Sequence, residues 1–237
     1  MLAELAIVPS APLLVPRLSG PDAVEATDVR TAALLACRSL GEAADRWIVL
    51  GVDGPTRRLS AYGSEVPVSA SPAADDLAAP LPMLLACWMR GESAPAATLE
   101  PMMSASDTSP EDAAAAGRAL AAALAADPSP VGVLVVADGA TALTPSAPGG
   151  GDRDSAHRLQ KTIDDAIGAG DVAALARLDP AACDAEGVGG RVPLQVLAGL
   201  VDSGAVAGRP RVDVRYAGAP FGVGYTVATV RPAGIDR

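Results

Sequence analysis

An α/β fold is what this sequence predicts: one domain over residues 1–237, built on a central, mostly parallel mixed sheet covered by helices on both faces. Three observations predict it. Val131–Val136 is an apolar, valine-rich run without a polar break, as a strand buried on both faces requires. Strand-like and helix-like stretches alternate from the amino terminus to this run, the pattern of parallel strands joined by crossover helices. Candidate strands stop abruptly in loops of turn chemistry: Pro9-Ser10, Asp53-Gly54 and Asp138-Gly139. Ligands of open α/β sheets gather beyond the carboxyl ends of the strands, so a site is expected in these loops.

Each element has its own signal. Residues 5–8 form a short first strand, followed by a loop at 9–16 whose prolines exclude a helix. A helix opens at Pro21-Asp22, with apolar positions Val29, Ala32, Ala33, Ala36 and Leu40, and Gly41 ends it. Residues 46–51 are a second buried strand. Residues 65–68 suit an edge strand, where Pro67 is tolerated. A helix covers 73–89, broken or started afresh near Pro80 and Pro82, and a strand covers 98–103. Ser109 caps the next helix, with Pro110 in its first turn and Glu111 and Asp112 at its positive end; Asp127 and Pro128 stop it. Three helices follow, near 152–167, 171–178 and 180–186, then a glycine connector at 187–190 and a helix at 191–201. Strands at 211–216 and 222–230 close the chain as a hairpin through 218–220.

Composition narrows the function classes. Net charge is −10, and the single lysine, Lys161, and the scattered arginines form no cluster. Nucleic acid and anionic membranes need such a cluster and are excluded. No apolar run approaches the ~18 residues of a membrane span, and no signal peptide is evident, so a cytoplasmic protein is expected. Cys37, Cys87 and Cys183 lie far apart without metal-ligand spacing and read as small apolar residues. Neither GxGxxG after the first strand nor GxxxxGK[ST] occurs.

If the strands are neighbours, Ser10, Asp53 and Asp138 converge on one rim, with Thr141 close by. Two carboxylates there could bind a cation or act as a base, whereas the plain reading of each Asp-Gly is a turn. Ser10 lacks the Gly-x-Ser-x-Gly setting of a nucleophile. His157, the only histidine, lies in a polar stretch with Arg153, Arg158 and Lys161 and reads as part of a solvated helix face.

Four segments taken together resemble one family. Residues 9–16, Pro-Ser-Ala-Pro-Leu-Leu-Val-Pro, look like the Pro-His-Pro-Pro-Leu-Leu opening of actinobacterial proteins of the LigB-like family of class III extradiol ring-cleavage dioxygenases. Residues 135–139 with Ala147-Pro148-Gly149 resemble their Gly-Asp-Gly-Ser segment and its trailing Ala-Pro-Gly. Residues 190–199 resemble their Gly-Arg-x-Pro helix start, and 219–225 their closing Ala-Pro-Tyr-Gly-Val-Gly-Tyr. Order and spacing agree over nearly the whole chain. The resemblance implies one central sheet and, in active relatives, non-haem Fe(II) held by two histidines and a carboxylate. It also implies where those side chains would stand. The first histidine falls on Ser10, the second on Gly54 and the acid/base histidine on Ala142 or Leu143. The cysteine that precedes Gly-Arg-x-Pro in related Memo-type proteins falls on Gly189.

Two imidazoles are what select iron over harder cations. The expectation is therefore a ring-cleavage-dioxygenase-like protein with no metal and no cofactor. Its degenerate pocket comprises Ser10, Asp53, Gly54, Asp138, Gly139, Thr141, Gly189 and Arg191, and it serves as a small-molecule or protein binding module. A homodimer or a second subunit is the partner such families suggest. The alternative is an enzyme of altered chemistry, dioxygenase-like or hydrolase-type, using Ser10, Asp53, Asp138 or Thr141, with or without a divalent cation.

Overall fold

The computed structural model describes residues 1–19, 23–147, 150–205 and 210–232. Six strands form one sheet: β1 (Leu2–Val8), β2 (Arg46–Val52), β3 (Thr98–Ser104), β4 (Val131–Val136), β5 (Arg211–Gly218) and β6 (Tyr225–Arg231), in the spatial order β3-β2-β4-β1-β6-β5. β1 to β4 run parallel, β6 is antiparallel to β1, and β5 is antiparallel to β6. The sheet is mixed and mostly parallel, as expected. β1 and β4 at its centre are almost wholly buried, whereas the edge strands β3 and β5 are mostly exposed or half-buried. Pro101 lies on β3, an edge, where a missing N–H does no harm.

Eight helices accompany the strands among the described residues: α1 (Pro16–Ser19), α2 (Val24–Ala43), α3 (Leu81–Ser93), α4 (Pro110–Ala126), α5 (Asp154–Ala169), α6 (Val172–Ala176), α7 (Pro180–Ala185) and α8 (Arg191–Leu200). They divide the core into two layers. Ala6, Val8, Trp47, Val49, Leu134 and Val136 meet α2 and α3 on one face. Leu5, Ile7, Ile48, Leu50, Val133 and Val135 meet α4, α5 and α8 on the other. Successive strand residues point to opposite faces, so a strand covered twice must be apolar at every position, as Val131–Val136 is.

Local signals account for most boundaries. Ser109 Oγ accepts the Asp112 N–H at 3.1 Å, and Asp171 and Asp179 cap α6 and α7 in the same way. Gly170 ends α5 in the left-handed region, φ 67°.

Four expectations need correction. Residues 65–68 form no strand; Val68 N–H is taken by Asp76 Oδ1 and Val68 carbonyl by Leu77 N–H, which leaves the segment as a side-chain-braced loop. Of the helix expected at 73–89, residues 73–80 are not helical; it starts afresh at Leu81, beside the prolines, and runs to Ser93. The prolines of 9–16 do not exclude helical turns: Pro12 begins a 3-10 turn (Pro12–Leu14) and Pro16 begins α1, because a first-turn residue needs no N–H partner. α2 continues past Gly41, whose missing side chain instead admits Ala94 Cβ, 2.5 Å from where a Cβ would stand. The helix start expected at Pro21-Asp22 lies outside the described residues.

α4 and α8 cross at their backbones. A Cβ on Gly117 would stand 2.1 Å from the Val196 carbonyl oxygen, and one on Gly199 2.3 Å from that of Ala114. Neither neighbour is a side chain that can swing away. Gly117→Ala and Gly199→Ala are each expected to destabilise the fold by about 1–3 kcal/mol in urea denaturation, despite alanine's better helix propensity.

Candidate functional site

The chain leaves β1 over the α2 face towards β2, and leaves β4 over the α5 face towards the opposite edge. β1 and β4 are neighbours, so their connections diverge to opposite faces. A crevice opens at such a topological switch point. The two residues that follow these strands, Ser10 and Asp138, meet there. Ser10 N–H donates to Asp138 Oδ1 at 2.7 Å.

Asp138 keeps partial exposure by area, but protein surrounds its carboxyl. Burial pushes it up to about 7, against the pull of the Ser10 N–H, which favours the anion. Tyr225 opens β6 beside it. Its phenol is raised by burial, then by the charges of Asp138 and Tyr216, and so stays a hydroxyl. A cavity of about 10 Å³, room for one water, lies behind Asp138 among Ile7, Ala137, Ile163, Leu194 and Thr226. That cavity is too small for anything larger than a water.

The loop after β4 is held by glycine contacts and one amide. Gly139 N–H donates to the Gly224 carbonyl and Gly224 N–H to the Ala140 carbonyl, each at 2.8 Å. Gln160 Oε1 accepts Ala140 N–H at 2.8 Å. That oxygen stands 2.0 Å from where a Cβ would sit on either Gly139 or Gly224. Gln160 Nε2 donates to Asp164 Oδ1, which Thr226 Oγ also reaches. Asp164 is raised, chiefly by its own burial. Ala142, at a position the resemblance gives to a histidine, is buried with φ 59°, a left-handed conformation that costs an alanine about 1–2 kcal/mol.

The other expected residues are placed as follows. Asp53 and Gly54 lie on the same rim but are exposed, and Asp53 Oδ1 accepts the N–H of Gly54 in its own turn. Their bonds go to the end of β3 through Asp53 N–H and the Ser104 carbonyl, not to Ser10 or Asp138. Thr141 N–H and Oγ both donate to the Glu186 carbonyl, so this hydroxyl ties the rim to the end of α7. Gly189 is exposed, with open space around it. Arg191 is 4% exposed and donates to the Ser106 and Thr108 carbonyls and to Gln195 Oε1. It anchors the loop between β3 and α4. His157 is exposed and paired with Asp152 Oδ1 at 2.5 Å, on the solvated face expected for it.

The residues fit iron poorly. Ser10, Gly54 and Ala142 carry no imidazole, and Asp138 already accepts a backbone N–H. Among the described residues no three His, Cys, Asp or Glu side chains converge as a metal-ligand group. What the arrangement offers chemically is a carboxyl that titrates near neutrality, able to take or give a proton, with the charge of a phenol kept off its neighbourhood.

Sequence reasoning missed Gln160 and Tyr225 as parts of the rim. Gln160 had a signal: it stands on the stripe Ala156, Gln160, Ile163, Ile167, a polar residue among the apolar positions of α5. Tyr225 had only its place at a strand start.

The raised Asp138 makes stability depend on pH. Its carboxyl ionises near the ordinary 3.8 when unfolded and near 7 when folded. Between those values the folded chain binds more protons, so this contribution is present at low pH and is lost as pH rises through 7. Asp138→Asn is expected to remove it. In urea denaturation the variant should gain up to about 3 kcal/mol on wild type between pH 4.5 and 7.5.

No family model matches the chain, and no curated protein does. Among solved structures it is similar to the crystal structure of uncharacterized protein JW3007 from Escherichia coli K12. The two are 13% identical, and the likeness covers 96% of this chain and 99% of that one with a TM-score of 0.54. At that identity the likeness shows a shared α/β fold over nearly the full length, and the fold alone.

Proposed function

We propose that this protein is a relative of the LigB-like class III extradiol dioxygenases that has given up iron-dependent ring cleavage and serves as a binding module for a small molecule or a protein. The observation that carries this reading is the Ser10–Asp138 hydrogen bond. At the place where the resemblance puts an iron-binding imidazole there is a serine, and its backbone N–H occupies an oxygen of the adjacent carboxylate. A site committed to its own backbone in this way has little to offer a transition metal.

The retained frame supports a binding role. The switch-point crevice, the interlocked glycine loops and the buried Arg191 anchor all hold the rim in one shape. Pre-organisation of that kind favours recognition. Cys37, Cys87 and Cys183 are buried free thiols, which fits the reducing cytoplasm where we place the protein. Among the described residues no helix is long and apolar enough to cross a membrane. A homodimer or a second subunit remains the partner this reading favours.

One observation favours the alternative, an enzyme of altered chemistry. A carboxyl held near 7 can both take and give a proton at neutral pH, as a hydrolase-type general base must.

Purified protein reconstituted with Fe(II) and then desalted distinguishes these readings from ring cleavage. The expected result is iron well below one equivalent and no catechol-dependent oxygen uptake. Stoichiometric iron with oxygen consumption would sink the proposal. Hydrolysis of a model ester that disappears in Asp138→Asn would establish the alternative.

A further inference from the structure

A second concave site lies at the other end of the strands. Gly218 and Tyr225 close the β5–β6 ribbon at the Asp138 rim, whereas Arg211 and Arg231 pair at its far end. There a cleft of about 280 Å³ is lined by Arg211, Val212, Asp213, Arg215, Thr229 and Arg231. Arg211 and Asp213 share one face of β5 opposite Arg231 and Thr229 of β6, and the register irregularity between Val214 and Tyr216 brings Arg215 to the same cleft, within reach of Asp213.

Three guanidinium groups and one carboxylate are an unusual gathering in a chain of net charge −10. Arg211 and Arg231 are a register pair, and like charges directly opposite on paired strands repel. The partners on hand neutralise them only in part. Arg231 turns inward, its Nη2 donating to Ser39 Oγ at 2.7 Å and its Nε to Glu4 Oε2 at 3.3 Å. Arg215 reaches Asp213 at 3.3 Å through Nη2, and its Nε is buried with no acceptor among the described residues. Arg211 is exposed at the mouth. A buried donor without an acceptor is costly to keep and is uncommon in folded proteins.

We propose that this cleft binds a phosphoryl dianion. A single carboxylate is satisfied by one arginine fork, whereas the several oxygens of a phosphate can take donors from two forks and from the Thr229 hydroxyl together. The volume leaves room for a small organic body on the phosphate. A phosphate of nucleic acid is a poor fit, because a chain of net charge −10 repels a polyanion. The proposal is independent of the reading of the Asp138 rim.

Titration calorimetry with inorganic phosphate, at ionic strength held constant with sodium chloride, tests it. Saturable binding is expected, weakened about tenfold or more in Arg215→Gln and in Arg211→Ala, with melting temperatures in chloride unchanged. Arg211 is exposed, so its variant remains informative if Arg215→Gln is destabilised. Asp138→Asn should bind phosphate as wild type does, which separates this site from the rim. Tighter binding of glycerol 3-phosphate than of inorganic phosphate would mark a phosphate ester as the ligand, and equal binding free phosphate. Absence of saturable heat at millimolar phosphate, or wild-type affinity in both arginine variants, would overturn the proposal.

Discussion

The meeting of the loop after β4 with the turn before β6 depends on one side-chain amide. Gln160 fills the space that two missing Cβ atoms leave open, on Gly139 and Gly224, and bonds the Ala140 N–H with the same oxygen. Because both glycines lack side chains, the loop after β4 and the turn before β6 come close enough to exchange two backbone hydrogen bonds. Asp138 precedes that clamp and Tyr225 follows it. Their proximity is therefore set by backbone geometry, and their chemistry is a consequence. A longer or shorter residue at 160 would shift both loops at once, since Asp164 and Thr226 are tied to the other end of the amide.

Burial dominates the electrostatics of the rim. For Asp138 desolvation outweighs a short hydrogen bond from Ser10, and for Tyr225 it is the largest influence. Protein dipoles replace water only where they are aimed at the charge, and a single N–H is too little for a carboxylate that water does not fully reach. The arginine cleft at the opposite pole shows the reverse imbalance, with more donors than acceptors. An acidic protein thus gathers three arginines on the ribbon of β5 and β6, and holds an acid that titrates near neutrality where its first and fourth strands end.

Much of the fold was legible from residues with a strong local meaning. Val131–Val136 matches a doubly covered strand, and Ser109 announced its helix through capping. Where meaning was ambiguous, tertiary contacts decided. Gly41 reads as a helix stop, yet it is a packing surface for Ala94. Pro12 and Pro16 read as breakers, yet they start turns. Residues 65–68 have strand composition, yet Asp76 takes the N–H that a ladder would need. At the site, Ser10 and Asp138 were legible because both terminate neighbouring parallel strands. The separation of Asp53 was not, since its side chain turns to its own Gly54, a choice invisible at the level of sequence spacing. Arg191 read as a rim residue because residues 190–199 resemble the Gly-Arg-x-Pro helix start. Its burial depends on three acceptors from Ser106, Thr108 and Gln195, two of which are distant in sequence.

The strand order has an outcome for synthesis. β1 emerges from the ribosome ahead of the other strands, yet its two partners are β4 and β6, the fourth and sixth in chain order. Until Val131–Val136 appears, Leu5–Val8 has no ladder on either side, and its apolar edge stays open for more than a hundred residues of translation. Loops that long close slowly, and unpaired strand edges are templates for aggregation. The nascent chain is accordingly open to edge pairing with other chains for a time set by how far apart its central neighbours lie along the polypeptide.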